Sequence, residues 1–233
     1  MNIALLILGL MGFSADEPAL ALFDGKSLDG WVAEGVSKFQ RDGKSVPVWT
    51  AHDGVISCKG KGFGFLRYKD REFDDFTLHL EFRMAPGCNS GLGIRTGAFD
   101  PARSRDTRPS FYSYEIQLTD DAGKPATTHS TGSLYRYVAP KENAIKPAGE
   151  WNTMEVECVG PRIRVTLNGK LIQDVDQSTI DELKTKPLHG CICLQNHGGD
   201  IDFRSVEVKE RKPGGGAGGT RGSASTSRPR PTG

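Results

Sequence analysis

The chain has 233 residues, with 30 lysines and arginines against 29 aspartates and glutamates, for a formal net charge of +1. That balance provides no overall field for a polyanion, so neither nucleic acid nor an anionic membrane surface is expected as a partner. The length suffices to bury a sizeable core in a single all-β domain.

Residues 1–15, MNIALLILGLMGFSA, are apolar from Ile3 to Phe13 and end in small residues. This run is too short to span a bilayer and is expected to be an export signal, directing the protein to the periplasm or the medium. No later segment is long and apolar enough to span a membrane.

The body is expected over residues 20–212. Along it, short runs of β-forming residues alternate with turn residues: VWTAHDGVISC, FGFLRY, FTLHLEFRM, SGLGIRT, YEIQL, WNTMEVECVG, RIRVTLNGKLIQDV, CICLQ and FRSVEVK. In FTLHLEF, Phe76, Leu78, Leu80 and Phe82 share one face while Thr77, His79 and Glu81 share the other, the period of a half-buried strand. Asn168-Gly169 lies between two apolar alternating runs, a strong hairpin signal. One helical turn is expected over STIDELKT, capped by Ser178. Many strands with hardly a helix predict a sandwich or barrel of antiparallel sheets.

The five cysteines do not form a dense disulfide framework. Cys191 and Cys193 alternate in a strand pattern and read as small buried hydrophobes. At least two of Trp31, Trp49 and Trp151 are expected in the core. Residues 213–233, PGGGAGGTRGSASTSRPRPTG, carry almost no apolar side chain and are expected to be a disordered tail.

Period two also sorts the polar residues. Asn89, Gly91, Gly93 and Arg95 fall on one face of NSGLGIRT, a poor core and a good floor for a ligand, since glycine permits close approach to the backbone. Glu115, Gln117 and Thr119 oppose Ile116 and Leu118, while Gln195 and His197 share a side before the turn residues Gly198 and Gly199. Taken singly, each polar group reads as a solvated strand residue. Taken together, they indicate a polar, carbohydrate-binding β-sandwich.

The motif order LFDGKSLDGW, DFTLHLEFRM, NSGLGIR, YEIQLTDD, GSLY, WNTMEVECVGPRIRVTLNGKLIQDV and LQNHGGDIDFRSVEVKE resembles the 3-keto-disaccharide hydrolase family, also described as 3-keto-glucoside lyase/hydratase. The resemblance runs from Leu22 to Lys209 and implies a concanavalin A-like jelly roll of two antiparallel sheets. It also implies cleavage of a 3-keto-glucoside: abstraction of the acidified C2 proton, β-elimination of the C1 oxygen, and hydration of the product. Such chemistry needs a base, an oxyanion partner and a proton donor. His197, Glu115 and Arg95 are the expected catalytic residues, with His197 favoured as base, Glu115 as acid or orienting group and Arg95 on the enolate. Asn89, Gln117, Tyr135, Gln195 and Asp120 are expected to bind the substrate.

No nicotinamide fingerprint is present, because GKGFG at residues 60–64 lacks the spacing and the following helix. A separate sugar 3-dehydrogenase would therefore supply the keto substrate. No cofactor is required, and a divalent cation on His197 and Glu115 is compatible with the spacing but not demanded by it. Two other functions are open: a two-carboxylate glycoside hydrolase using Glu115 with Asp120 or Asp121, and a non-catalytic sugar-binding module with a tryptophan platform. Two positions depart from the family pattern. Asn196 stands where the family often has aspartate, and Ser205 where it usually has asparagine.

Overall fold

Alternation of apolar and polar residues builds most of the molecule. In the computed structural model, which describes residues 18–211, fifteen strands are formed in chain order. They are β1 (Leu20–Ala21), β2 (Trp31–Gly35), β3 (Lys38–Arg41), β4 (Lys44–Pro47), β5 (Trp49–His52), β6 (Val55–Cys58), β7 (Gly64–Tyr68) and β8 (Phe76–Met84), followed by β9 (Asn89–Thr96), β10 (Tyr114–Thr119), β11 (Asn152–Val159), β12 (Arg162–Leu167), β13 (Lys170–Asp176), β14 (Cys191–Asn196) and β15 (Ile201–Glu210). The expected export signal at 1–15 and tail at 213–233 lie outside the described residues.

All pairings are antiparallel. One sheet runs β13-β12-β11-β8-β15-β6-β5, with β1 added to β15, and the other runs β10-β9-β14-β7-β2. A two-stranded ribbon, β3-β4, stands apart. The expected alternation in β8 is complete, with Phe76, Leu78, Leu80 and Phe82 fully buried. They face Leu92 and Ile94 of β9, Ile116 and Leu118 of β10 and Leu194 of β14, all within one core cluster. This is the all-β jelly-roll sandwich expected from the sequence, its core lying between the sheets.

Asn168-Gly169 forms its hairpin with φ of 50° and 80°, and Asp42-Gly43 and Asp53-Gly54 turn in the same way between β3 and β4 and between β5 and β6. Positive φ at both residues is the backbone demand that Asn-Gly and Asp-Gly satisfy. Trp31 and Trp49 are buried, as are Cys191 and Cys193. All five cysteines are free thiols.

The helical expectation over STIDELKT is corrected. Only Gln177–Thr179 forms a 3₁₀ turn, and its cap is Asp176, whose carboxylate accepts from the Ser178 amide at 2.9 Å. Gln177 is buried and donates to the carbonyls of Leu183 and Lys186, taking up backbone acceptors in the following turns. Helical structure appears instead between β9 and β10, as α1 (Ser104–Thr107) and α2 (Pro109–Tyr112).

Two strands carry bulges with functional or energetic weight. In β9 the pairing with β14 shifts between Cys191 and Cys193, and Arg95 takes φ of 53°. In β15 the pairing with β8 shifts between Arg204 and Glu207, and exposed Ser205 takes φ of 50°. Asparagine tolerates left-handed backbone better than serine does. Ser205→Asn is therefore expected to stabilise the fold by about 0.5 kcal/mol, raising the melting temperature by roughly 1–2 °C. A lower melting temperature by calorimetry would contradict that account.

Candidate active site

The outer face of the five-stranded sheet, turned away from the core, carries the polar residues that period two assigned to it. Register sets the rows: Glu115 lies opposite Gly93, and Gly93 opposite Cys193, while Gln117 lies opposite Gly91. At the strand end an isolated bridge joins Asn89 to Gly198, so His197 is carried to the Asn89 end of β9. One small cavity of about 20 Å³ is lined by Phe63, Asn89, Arg108, Ser110, Glu115, Gln117, Tyr135, Gln195 and His197. Six residues expected from the sequence thus share one lining: Asn89, Glu115, Gln117, Tyr135, Gln195 and His197.

Glu115 forms the floor. It is 5% exposed, and burial pushes its carboxyl up to about 7, against the opposing pull of hydrogen bonds from Gln195 and Ser110 and the charge of Arg108. A carboxyl there is half protonated near neutrality and can exchange a proton in either direction. Gly91 makes the room: a Cβ on it would lie 2.9 Å from Glu115 Cγ. At Gly93 a Cβ would meet Cys193 Sγ at 2.4 Å and Pro109 Cγ at 3.1 Å. The two glycines therefore admit protein groups, the glutamate side chain and the start of α2, rather than forming the ligand floor themselves.

His197 stands at the rim, exposed at its outer edge, its ring edge-on to Phe63 with centroids 5.4 Å apart. Partial burial of the ring, and secondarily the Arg108 charge, hold its pKa below the ordinary imidazole value. The ring is thus neutral at pH 7 and free to accept a proton. Asn196, beside it in sequence, is fully buried and turns the other way, donating to the Lys61 carbonyl at 2.7 Å and accepting from Cys58. The departure from aspartate at this position consequently leaves the imidazole without change of partner.

Arg95 is corrected. Because its bulge breaks the period of two, its side chain is not in the lining but fully buried, donating to the carbonyls of Gly160 at 2.8 Å and Asp74 at 3.0 Å. It ties the strand ends together at one end of the sandwich. The guanidinium in the cavity belongs instead to Arg108, just before α2, which lies 4.1 Å above the centroid of the Phe63 ring. Its Nε is buried without a hydrogen-bond partner, a donor left free in the wall of the cavity.

Asp120 is corrected as well: its carboxylate accepts from the Gly87 amide at 2.9 Å, holding the turn before β9, and does not line the cavity. Asp121 is buried against the Thr131 amide. Among the described residues, therefore, no second carboxylate lines the cavity with Glu115. Trp31 and Trp49 are core residues, and Trp151 is covered by Arg83 and Arg204, so no bare indole platform adjoins the cavity. The two metal-ligating side chains in the lining, Glu115 and His197, share it with a guanidinium, and among the described residues no three His, Cys, Asp or Glu side chains are disposed to hold an ion. That donor set does not make a protein-held metal centre.

Further polar atoms point to a hydroxylated ligand. The Oε1 atoms of Gln117 and Gln195 are buried acceptors without donors, and Gln117 Nε2 donates to Asn89 at 3.3 Å. The cavity holds roughly one or two waters by volume.

Comparison with known proteins agrees with this architecture. A family model described as a 3-keto-alpha-glucoside-1,2-lyase-like domain matches residues 18–209. A protein of Bacteroides thetaiotaomicron named 3-keto-disaccharide hydrolase is 25% identical, over 82% of this chain and 77% of its own length. A crystal structure of a candidate glycosyl hydrolase from Parabacteroides distasonis superposes with a TM-score of 0.66 at 27% identity, covering 84% of this chain and all of the other. The CBM66 carbohydrate-binding module of Bacillus subtilis shares the fold alone, with a TM-score of 0.50 at 14% identity over 78% of this chain and 96% of the module.

Proposed function

The chain belongs to the family of 3-keto-alpha-glucoside-1,2-lyase-like domains, through residues 18–209, and on that premise we propose that it cleaves 3-keto-glucosides by elimination and rehydration. The observation carrying this reading is the pairing, in one cavity, of a carboxyl near pKa 7 with a neutral imidazole and an unpartnered guanidinium nitrogen.

In this mechanism His197 takes the C2 proton, which the adjacent C3 ketone acidifies. The electron pair moves toward the ketone oxygen, where Arg108 stabilises the enolate. Collapse of the enolate breaks the C1 oxygen bond, and protonated Glu115 supplies the proton to the departing oxygen. Glu115, now a carboxylate, draws a proton from water as its oxygen adds to C1, and the imidazolium returns a proton to C2. Both residues end as they began, and the net change is hydrolysis. Gln117, Gln195, Asn89 and Tyr135 hold ring hydroxyls, the glutamine Oε1 atoms gaining the donors they lack. Oxidation at C3 falls to a separate dehydrogenase, and the reading places the reaction outside the cytoplasm.

The test is incubation with a 3-keto-glucoside and with its unoxidised parent, following C2 deuterium exchange and release of the leaving group by NMR. Turnover of the keto sugar alone is expected. Neither exchange nor cleavage, from folded protein across several linkages, would leave a sugar-binding sandwich as the better account.

The shifts of His197 and Glu115 give the expected pH dependence. Activity needs neutral His197, so it rises as pH climbs through the lowered imidazole pKa, and protonated Glu115, so it falls as pH passes about 7. The expected profile of kcat/KM is a narrow bell on the acid side of neutrality, whose alkaline limb is absent in Glu115→Gln.

A further inference from the structure

Outside the cavity lining, Lys186 is a buried titratable group to which the proposed mechanism gives no task. It is 8% exposed, and its Nζ donates to the Phe111 carbonyl at 2.6 Å. The ammonium lies 5.6 Å from the ring centroid of Tyr114 and 4.9 Å from that of Tyr137. These partners are a carbonyl and two ring faces, with no carboxylate among them. Burying a charge in such a box costs free energy that an apolar side chain of similar size would avoid.

What the ammonium holds is α2, the carrier of catalytic groups. Arg108 precedes it and enters the cavity, and Ser110 within it hydrogen-bonds to Glu115. A four-residue helix does not hold itself. Its restraints come from outside: Lys186 on the Phe111 carbonyl at its C-terminal end, and the Tyr137 hydroxyl donating to the Ser110 carbonyl at 3.3 Å. The Arg136 guanidinium also lies 4.4 Å above the centroid of the Phe111 ring. Arg136 pays for that placement with a left-handed backbone, φ 76°, between Tyr135 in the cavity lining and Tyr137, whose hydroxyl bonds to α2.

We infer that Lys186 is a positioning residue, clamping α2 together with Tyr137 so that Ser110 and Arg108 stand correctly over Glu115. The assignment rests on the proposed function for its catalytic meaning. Its structural content, that the clamp sets the surroundings of Glu115, can be read without turnover.

The experiment compares Lys186→Met and Tyr137→Phe with the full-length wild type. Carbon-13 NMR titration of the Glu115 carboxyl, the pH profile of kcat/KM and the melting temperature are measured for each. Ser110 and Arg108 both lower the pKa of Glu115, so loosening α2 is expected to move its titration, and the alkaline limb, upward by about half a unit. Tyr137→Phe removes no charge, so the same direction there separates positioning from loss of the Lys186 field. kcat is expected to fall about tenfold or more with KM little changed, and Lys186→Met to melt no lower than wild type. An unmoved Glu115 titration in both variants, whether melting falls or stays, overturns the inference. If wild type fails to cleave any keto sugar, the functional reading falls while the titration still decides the clamp.

Discussion

Replacing His197 with alanine is expected to abolish both exchange of the C2 proton and release of the leaving group from a 3-keto-glucoside, lowering kcat by about 10²–10⁴-fold. The argument for His197 as base is one of protonation state. Its pKa lies below the ordinary imidazole value, so the ring is unprotonated at neutral pH, whereas buried Glu115 at about 7 retains a proton on half the molecules. A bell-shaped pH profile alone does not distinguish this from the exchanged roles, because both schemes titrate the same pair. Leaving-group chemistry does. Glu115→Gln should slow cleavage of an alkyl or sugar 3-keto-glucoside by about 10²-fold or more, yet remain near wild type on an aryl derivative whose phenolate departs without a proton. His197→Ala should be inactive on both. The opposite pattern would make Glu115 the base, and equal loss on both substrates in Glu115→Gln would remove it from the acid role.

The fold was readable because its strands keep strict periods. β8 alternates without exception, and the three two-residue turns carry the Asn-Gly or Asp-Gly pairs their backbone requires. Within the site, period two correctly gathers Glu115 with Gln117, and Gln195 with His197, because β10 and β14 run regularly to the point where those residues stand. It fails on β9, where one extra residue opposite β14 puts Arg95 into left-handed backbone and turns its side chain out of the expected face. A non-glycine bulge has no sequence mark as clear as Asn-Gly. Arg108 and Ser110 were missed because helical turns of four residues lack a period to detect. The available signal was Pro109, which fixes the first position of α2. Asp120 shows a third kind of failure: its place on the chain suggested a ligand, but the nearby Gly87 amide takes its carboxylate.

The two arginines should separate cleanly when each is removed. Arg108→Ala deletes a half-buried guanidinium stacked on Phe63, and its Nε has no hydrogen-bond partner to orphan. Loss of such an electrostatic donor at a developing oxyanion typically costs about 10²–10³-fold in kcat, and melting should scarcely change. The same substitution removes a positive charge beside Glu115 and His197, so both titrations should move upward. Arg95→Met should do the reverse. It takes a fully buried guanidinium out of the sandwich and strips donors from the part-buried Gly160 and Asp74 carbonyls, costing about 3 kcal/mol, or roughly 6–12 °C in melting temperature, while leaving the pH profile of the surviving enzyme in place. Calorimetry and steady-state kinetics on the two variants decide the matter. An Arg95 variant that folds normally but cannot turn over, beside an Arg108 variant with full activity, would return the enolate to Arg95 and require β9 to rearrange when substrate binds. The expected pattern instead ties catalysis to α2: the residue that stabilises charge on the substrate is carried by the same short segment that donates Ser110 to Glu115, so one displacement of that segment alters oxyanion and acid together.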